Sequence, residues 1–396
     1  MTDGARVRQP GRPLRRAVIV MAALLLAGCQ AVVPRGATEP GRRPPPPRQQ
    51  PSQVEQGIPT DTARHRVALL VPLSGPNAGV GQSLANATQM ALLDSNNQRI
   101  RITTYDTNLG AAAAAQRAIA EGNRLILGPL LGDDVRAVTP IAHRSSVPVV
   151  AFSNDSSAAG QGAYLMGYVP AQSIARVVDY AKAQGITNFA GLVPNGTYGE
   201  RASTAFLRSV ESAGGQVVSL QTYQRVPGSI TAAITRMGKD SPYQAVLIAD
   251  SANTASAAVP VLRRVGASSA HVLGTELWNS ESSMANKPAL NGAWFASVSN
   301  GLYRQYAAKY RARFGAAPFR LSSLGYDAVL LTIRISADWT VGTPFPERRL
   351  TDAGGFAGID GAFRFGKDGV AERALEVQEI RGGSAVTVSP APRGFE

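Results

Sequence analysis

From residue 66 onward the chain alternates between short apolar runs and longer segments in which apolar residues recur at helical spacing. Residues 67–71 have the length and continuity of a buried parallel strand, and turn-forming residues follow at 72–77. The next apolar positions share one face of a helix: Val80, Leu84, Ala87, Ala91 and Leu92. Such alternation of strands and helices is typical of an α/β fold.

The same alternation continues to residue 152 and predicts a parallel, doubly wound sheet with right-handed connections. The predicted strands are 99–105, 125–127 and 147–152, and the predicted helices are 110–121 and 131–143. A second copy of the pattern follows a break at 168–170. Its predicted helices are 171–184, 199–213, 229–237 and 254–265, and its predicted strands are 189–193, 216–220, 245–248 and 271–273.

We therefore expect two doubly wound parallel-sheet lobes that are joined by a multi-stranded hinge. The pattern also predicts a strand at 293–298 and helices at 303–314 and 324–335. These elements must join or cover one of the two sheets, and we assign them to the first lobe. The expected organisation is an N-terminal lobe from 66–168 plus 295–335, and a C-terminal lobe from 169–294 plus 336–396.

The amino-terminal segment has the features of a lipoprotein signal peptide over residues 1–28. Arginines precede an apolar run at 17–27 that is too short to span a membrane. The run ends in Leu26, Ala27, Gly28 and Cys29, which resemble the bacterial lipobox. Cys29 is the one cysteine of the chain and has no disulfide partner, so we expect it to carry the lipid. The residue after it is Gln30 rather than aspartate, which resembles better-known lipoproteins that are exported to the outer membrane, so we expect anchoring there.

Residues 29–65 are rich in proline, arginine and small polar residues, and they contain few large apolar side chains. Such a segment cannot bury enough surface to offset its ordering entropy, so we expect a disordered tether. Residues 1–66 contain eleven arginines and four acidic residues, which accounts for more than half of the net charge of +13. The folded part has no basic run interleaved with aromatic residues, and nucleic-acid binding is not expected.

Candidate binding residues follow from the topology, because ligands of open α/β sheets bind beyond the carboxyl ends of the strands. Ser74 and Ser153 fit a helix cap or turn as well as they fit ligand contact. For Asp250 a structural role and a role in ligand binding are equally supported by the sequence. The loops at the expected strand ends supply these candidates: Ser74, Gly75, Asp133, Ser153, Asn154, Tyr198 and Asp250.

No catalytic residue, metal site or cofactor is expected. His65, His143 and His271 lie far apart in the sequence and lack metal-ligand spacing. The glycines at 79 and 81 lack the third glycine of a dinucleotide loop, and the candidate serines have no base that the sequence identifies. We expect a binding protein and not an enzyme.

Five segments, in order and spacing over residues 66 to about 380, resemble the type I periplasmic binding proteins of the leucine/isoleucine/valine class. The resemblance implies a ligand cleft between two lobes. It implies that the Ser74–Gly75 and Ser153 loops help to bind an amino acid, while Tyr198 and an acid near Asp250 close over it. The segments are 71–76, 128–129, 152–154, 198–200 and 326–328.

Residues 128–135 and the tail 358–365, with Gly369 and Arg373, are most similar to the outer-membrane lipoprotein activators of penicillin-binding proteins, the LpoA group. Amino-acid binders place serines where this chain has Leu130 and Leu131. The resemblance implies a lipid-anchored periplasmic protein that activates a class A penicillin-binding protein, a peptidoglycan synthase, by contact. The alternative hypothesis is a solute-binding receptor of an ABC transporter, with an amino acid or related small molecule in the interlobe cleft.

Overall fold

The computed structural model describes residues 63–239, 242–266, 269–280 and 283–395. The predicted signal peptide, Cys29 and nearly all of the predicted tether lie outside these residues. Among the helices that are described, none has both the length and the apolar character of a membrane-spanning segment.

The described elements alternate between strand and helix through most of the chain. In chain order the strands are β1 (His65–Val71), β2 (Ile100–Asp106), β3 (Leu125–Leu127), β4 (Val149–Ala151), β5 (Ala163–Leu165), β6 (Asn188–Pro194), β7 (Gln216–Tyr223), β8 (Ala245–Ile248), β9 (His271–Gly274), β10 (Trp294–Ser297), β11 (Phe356–Gly358), β12 (Gly361–Phe365), β13 (Ala371–Arg373), β14 (Glu376–Arg381) and β15 (Ser384–Ser389). The α-helices are α1 (Ala78–Asp94), α2 (Ala111–Ala120), α3 (Gly132–Arg144), α4 (Pro170–Ala183), α5 (Thr197–Ser212), α6 (Ser229–Met237), α7 (Ala252–Arg264), α8 (Gly301–Phe314) and α9 (Ser322–Ser336).

The strands form two large sheets and one small one. The first sheet has the parallel order β2-β1-β3-β4-β5. The second has the order β15-β14-β10-β9-β8-β6-β7, in which β14 and β15 run antiparallel to their neighbours. The small antiparallel sheet is β11-β12-β13. The α/β class and the doubly wound sheets predicted from the sequence are confirmed.

The continuous apolar run of β1 is explained by burial on both faces of the first sheet. Val67 and Leu69 face a core that includes α1 and α9, whereas Ala68 and Leu70 face α2 and α3. All four side chains are fully buried. This arrangement is characteristic of parallel sheets that are covered by helices on both sides.

Two assignments differ from the sequence-based expectation. The strand at 293–298 was expected in the first lobe, but β10 pairs with β9 and β14 of the second sheet. The region after residue 336 was expected in the second lobe, but Trp339, Phe345 and Phe363 pack into the core of the first sheet. These large aromatic side chains cover the first sheet beside α9. Of the described strands after residue 336, only β14 and β15 belong to the second sheet.

The predicted tether was expected to run to residue 65, but His65 already belongs to β1. Its ring stacks on Trp339 with the centroids 4.0 Å apart. Burial lowers the pKa of His65, helped by the nearby positive charge of Arg99.

Candidate functional site

A cavity of about 330 Å³ lies where residues of the two large sheets face each other. It is reached by loops at the carboxyl ends of β3, β4, β9 and β10, as the topology rule predicts. Its walls are mainly apolar, with a few polar groups at separate places, which is the usual character of a small-molecule site. Its lining residues include Leu130, Leu131, Asn154, Ser173, Glu276 and Arg373.

Glu276 is placed in the cavity by the packing that follows β9. Gly274 ends the strand, and a β-carbon there would lie 2.4 Å from the ring of Trp278. The Trp278 indole is fully buried and donates a hydrogen bond to the main-chain carbonyl of Asp250 at 3.0 Å. The tryptophan therefore fixes the short 3₁₀ helix Glu276–Ser280 against the second sheet.

The Glu276 carboxylate accepts hydrogen bonds from neutral donors only. They are the hydroxyls of Ser173 and Tyr198, the second with an O–O distance of 3.0 Å, and the main-chain amide of Glu276 itself. Burial raises the pKa of Glu276, and these hydrogen bonds offset part of that effect. Within the described part of the chain no cation pairs with it. A half-buried, poorly solvated carboxylate of this kind attracts a positively charged or hydrogen-bond-donating ligand group.

The facing wall is built by the loop between β3 and α3. Gly128 holds a φ of +89°, and a β-carbon there would lie 2.0 Å from the carbonyl oxygen of Leu70, so only glycine fits. The next residues place Leu130 and Leu131 against the cavity. These side chains provide apolar surface but no donor for a carboxylate.

Two arginines line the cavity beside the small sheet. Arg320, just before α9, pairs with the buried Asp360 at 2.8 Å, while Arg373 of β13 donates to the carbonyl oxygen of Met166 at 2.6 Å. Tyr168 lies between them and donates to Asp360. Burial alone would raise the pKa of Asp360, but the two guanidiniums hold it below its ordinary value.

The predicted residues Ser74 and Gly75 are engaged in a turn. The Ser74 hydroxyl donates to Asp106 at 2.7 Å and accepts from Asn108 at 3.0 Å. Gly75 holds a φ of +73°, and a β-carbon there would lie 2.6 Å from the Asn108 side chain. Neither residue is among the described residues that line the cavity.

Asn154 lines the cavity itself, whereas Ser153 and Asp133 line a second depression of about 410 Å³ that adjoins it. Ser153 is buried, and its hydroxyl accepts from the Asp155 amide at 3.1 Å. The Asp133 side chain is 93% exposed and pairs with Arg136 at 2.7 Å. We call Asp133, Arg136, Asp155 and Arg201 the mouth cluster.

Tyr198 and Asp250 take different positions. The Tyr198 hydroxyl contacts Glu276, and burial together with that carboxylate raises its pKa. The Asp250 carboxylate is held inside the second lobe by the Tyr223 hydroxyl at 2.6 Å and by Arg225 at 3.0 Å. Asn154 therefore lines the cavity and Tyr198 contacts Glu276, whereas Asp250 is not among the described residues that line the cavity.

Sequence reasoning missed Glu276, Arg320 and Arg373. Glu276 follows the predicted strand 271–273, so the rule that selected the other strand ends could have found it. Arg373 could not be found by that rule, because it lies on an antiparallel strand of the small sheet. Over the described ranges, no group of three or more potential metal-ligating side chains converges.

A family model described as "Periplasmic binding protein" matches residues 65–385. The chain belongs to this family. Members are binding proteins and not enzymes, and the family implies a periplasmic location. The expectation of a type I, leucine-binding-like fold is confirmed.

Solved structures of transport proteins share the fold at low sequence identity. An ABC transporter substrate-binding protein from Sphaerobacter thermophilus has a TM-score of 0.68 at 18% identity, covering 83% of this chain and 98% of its own. A branched-chain amino acid transporter substrate-binding protein, LivJ, from Streptococcus pneumoniae in complex with isoleucine has a TM-score of 0.62 at 18% identity, covering 83% and 100%. A solute-binding protein of an ABC transporter from Rhodopseudomonas palustris in complex with 3,4-dihydroxybenzoic acid has a TM-score of 0.64 at 18% identity, covering 84% and 98%.

Among curated proteins, the chain is similar to an uncharacterised protein of Rickettsia prowazekii. The two are 24% identical over 177 residues, which is 44% of this chain and 47% of that protein. The match therefore spans about half the length of the relative.

Proposed function

We propose that this protein is a solute receptor of an ABC transporter and that it captures a small organic molecule in the cavity between its lobes. The observation that carries the proposal is the position of Glu276, a half-buried carboxylate without a cation partner in the described chain, in a mainly apolar cavity. An ammonium group of a solute would supply the missing charge, and the apolar walls would cover its hydrocarbon part.

The family and its solved members support this proposal over the activator hypothesis. The structures named above are transport receptors, and two of them hold an amino acid or an aromatic acid. The activator hypothesis rests on the sequence resemblance of 128–135 and 358–365. Much of the second segment forms β12, whose Phe363 and Phe365 pack into the first core.

A thermal-shift screen of amines, amino acids and aromatic acids tests the proposal, followed by calorimetry of any hit. A ligand that binds only the folded state at one hundred times its Kd adds about 2.7 kcal/mol to the free energy of unfolding. Ser280→Trp should block binding, because Ser280 is exposed and lines the cavity. Ser212→Trp, at the exposed end of α5, is the matched control and should bind normally. No stabilisation by any compound would contradict the proposal.

We further propose that Cys29 carries a lipid that holds the receptor at a membrane, which agrees with the family's periplasmic location. Cys29→Ser should move the full-length protein from the detergent phase to the aqueous phase without changing its thermal unfolding. Retention of the substituted protein in the detergent phase would contradict the anchor.

A further inference from the structure

Arg373 is a buried cation without a countercharge of its own. Its side chain lines the cavity, and one terminal nitrogen donates to Met166. Its Nε and the other terminal nitrogen, Nη1, are buried and have no hydrogen-bond acceptor. The guanidinium lies 5.0 Å from the ring centre of Tyr168 and 5.2 Å from that of Phe363. No carboxylate of the described chain forms an ion pair with it.

Arg320 adds a second set of unpartnered donors on the same side of the cavity. One terminal nitrogen lies 2.8 Å from Asp360 and donates to Ser323 at 2.8 Å. Its Nε and Nη2 are buried without an acceptor, and the guanidinium stacks 3.9 Å from the ring centre of Tyr303. Two guanidiniums therefore share one ion-paired carboxylate.

The nearby Asp327 does not balance the second arginine. It is fully buried, and its oxygens accept main-chain hydrogen bonds from Ile359 at 2.7 Å and from Asp360 at 3.4 Å. Burial and the adjacent Asp360 charge raise the pKa of Asp327 to about 7. The charged form of Asp327 is therefore disfavoured, and Asp327 compensates the second guanidinium only in part.

A buried donor without an acceptor costs about 1–3 kcal/mol, and an uncompensated buried charge costs more. Four such nitrogens on two cavity-lining arginines are an expensive arrangement for the protein alone. Guanidinium groups match carboxylates through paired N–H donors. Because both arginines line the cavity, a rotation of either guanidinium would bring its unpartnered nitrogens to a ligand oxygen.

We infer that Arg373, supported by Arg320, binds an anionic group of the solute, so that the preferred ligand is a carboxylate attached to an apolar body. This inference rests on the proposed receptor function and specifies its ligand class. Glu276 takes a positive group from the opposite lobe, and the solute that satisfies both ends is zwitterionic. The anion is held at the small sheet and not at the β3–α3 loop, where Leu130 and Leu131 offer no side-chain donors.

Two matched ligands test recognition of the anionic end of the solute separately from recognition of its ammonium end. Calorimetry compares 4-(aminomethyl)benzoate with 4-(aminomethyl)benzamide, which keeps the ammonium and the ring but carries no negative charge. We expect the purified wild-type protein to bind the carboxylate at least tenfold more tightly. Arg373→Gln should reduce this preference to twofold or less, mainly through weaker binding of the carboxylate. Arg364→Gln, on the adjacent strand β12 of the same sheet, is the control and should keep the preference.

The outcomes distinguish this inference from the receptor proposal. Equal affinity for the two probes, or a preference that survives in Arg373→Gln, contradicts the anion site but leaves the receptor intact. Failure of both probes contradicts the anion site, and the receptor proposal falls with it only if the wider solute screen is also negative. If Arg373→Gln unfolds, Arg373→Lys keeps the positive charge but loses the paired donors. It should retain part of the preference, and full retention would argue against paired recognition.

Discussion

The inner cavity and its mouth handle charge in opposite ways. In the mouth cluster Asp155 pairs with Arg136 at 2.7 Å and with Arg201 at 2.5 Å, and Arg136 also pairs with Asp133. In the cavity, Glu276 and Arg373 have no charged partner in the described chain. Charges are therefore paired within the protein at the mouth, whereas under the proposed function a solute would pair those inside.

The mouth cluster also connects the lobes. Asp155 follows β4 of the first sheet, whereas Arg201 belongs to α5, which covers the second sheet. The pair therefore forms across the cleft, and we expect it to hold the two lobes together. A pair with a partly exposed arginine contributes modestly, whereas charges removed from water have larger effects.

The largest expected effect comes from the buried Arg320–Asp360 pair. Asp360→Asn removes the countercharge and leaves two buried guanidiniums, which should lower the free energy of unfolding by about 3–5 kcal/mol. Asp133→Asn, at the 93% exposed end of the mouth cluster, should change it by about 0.5 kcal/mol or less. Urea titration of both proteins measures the difference. Similar losses in the two variants would remove the distinction between cavity and mouth.

The next largest effect concerns Glu276. Glu276→Gln removes the negative charge but keeps the shape, so affinity for 4-(aminomethyl)benzamide should fall tenfold or more, which is about 1.4 kcal/mol. Thermal stability of the unliganded protein should stay equal or rise, because burial raises the pKa of Glu276 and thus disfavours its charged form. Unchanged amide affinity in calorimetry would show that Glu276 does not bind the ammonium group.

How far the sequence predicts this molecule depends on how local each signal is. Strands such as β3 and β8 were predicted at their observed bounds, because their apolar runs are buried by nearby helices. The sheet that contains β10 could not be predicted from its own residues, since its antiparallel neighbour β14 lies about eighty residues later. Apolar periodicity predicts which residues form a strand or a helix. Pairing with distant segments determines the sheet to which a strand belongs.

The prediction of the site divides in the same way, between local signals and long-range contacts. The strand-end rule selected Asn154, which lines the cavity, and Tyr198, which contacts Glu276. It also selected Ser74, whose hydroxyl is held by Asp106. Whether a polar side chain meets a solute or another side chain depends on contacts between distant segments, which a single sequence does not reveal. Arg373 is the clearest example, because its role depends on Met166 and Tyr168.

A smaller effect is expected at the mouth. Arg201→Ala removes the interlobe pair and should weaken binding of 4-(aminomethyl)benzoate by about threefold to tenfold, or ~0.6–1.4 kcal/mol. Small-angle X-ray scattering of the unliganded protein should show a larger radius of gyration as the cleft opens. Arg208→Ala, an exposed change on the same helix α5, is the control. An Arg201→Ala protein with wild-type affinity and dimensions would show that the pair does not govern closure.

The smallest effect is a pair of pH dependences with opposite sign. Burial by itself would raise the pKa of Asp155, but Ser157, Arg136 and Arg201 hold it well below its ordinary value of 3.8. The stabilisation by these partners is therefore complete above about pH 5 and is lost progressively as the pH falls further. The raised pKa of Glu276 has the reverse consequence, because the folded state binds a proton more tightly than the unfolded state. Wild-type stability relative to Glu276→Gln should fall as the pH rises above the ordinary glutamate value of 4.5.

Urea midpoints at pH 3, 4, 5, 6 and 7 for wild type, Arg201→Ala and Glu276→Gln measure both dependences. The difference between wild type and Arg201→Ala should be constant from pH 5 to 7 and shrink only at the acid end of the series, because Asp155 without Arg201 binds a proton at a higher pH than Asp155 of the wild type. The difference between wild type and Glu276→Gln should be near zero at pH 4 and favour the variant increasingly toward pH 7. Two differences that change in the same direction would mean that the cavity acid is neutralised by the protein itself, as the mouth acid is, and the contrast between the two regions would then be lost.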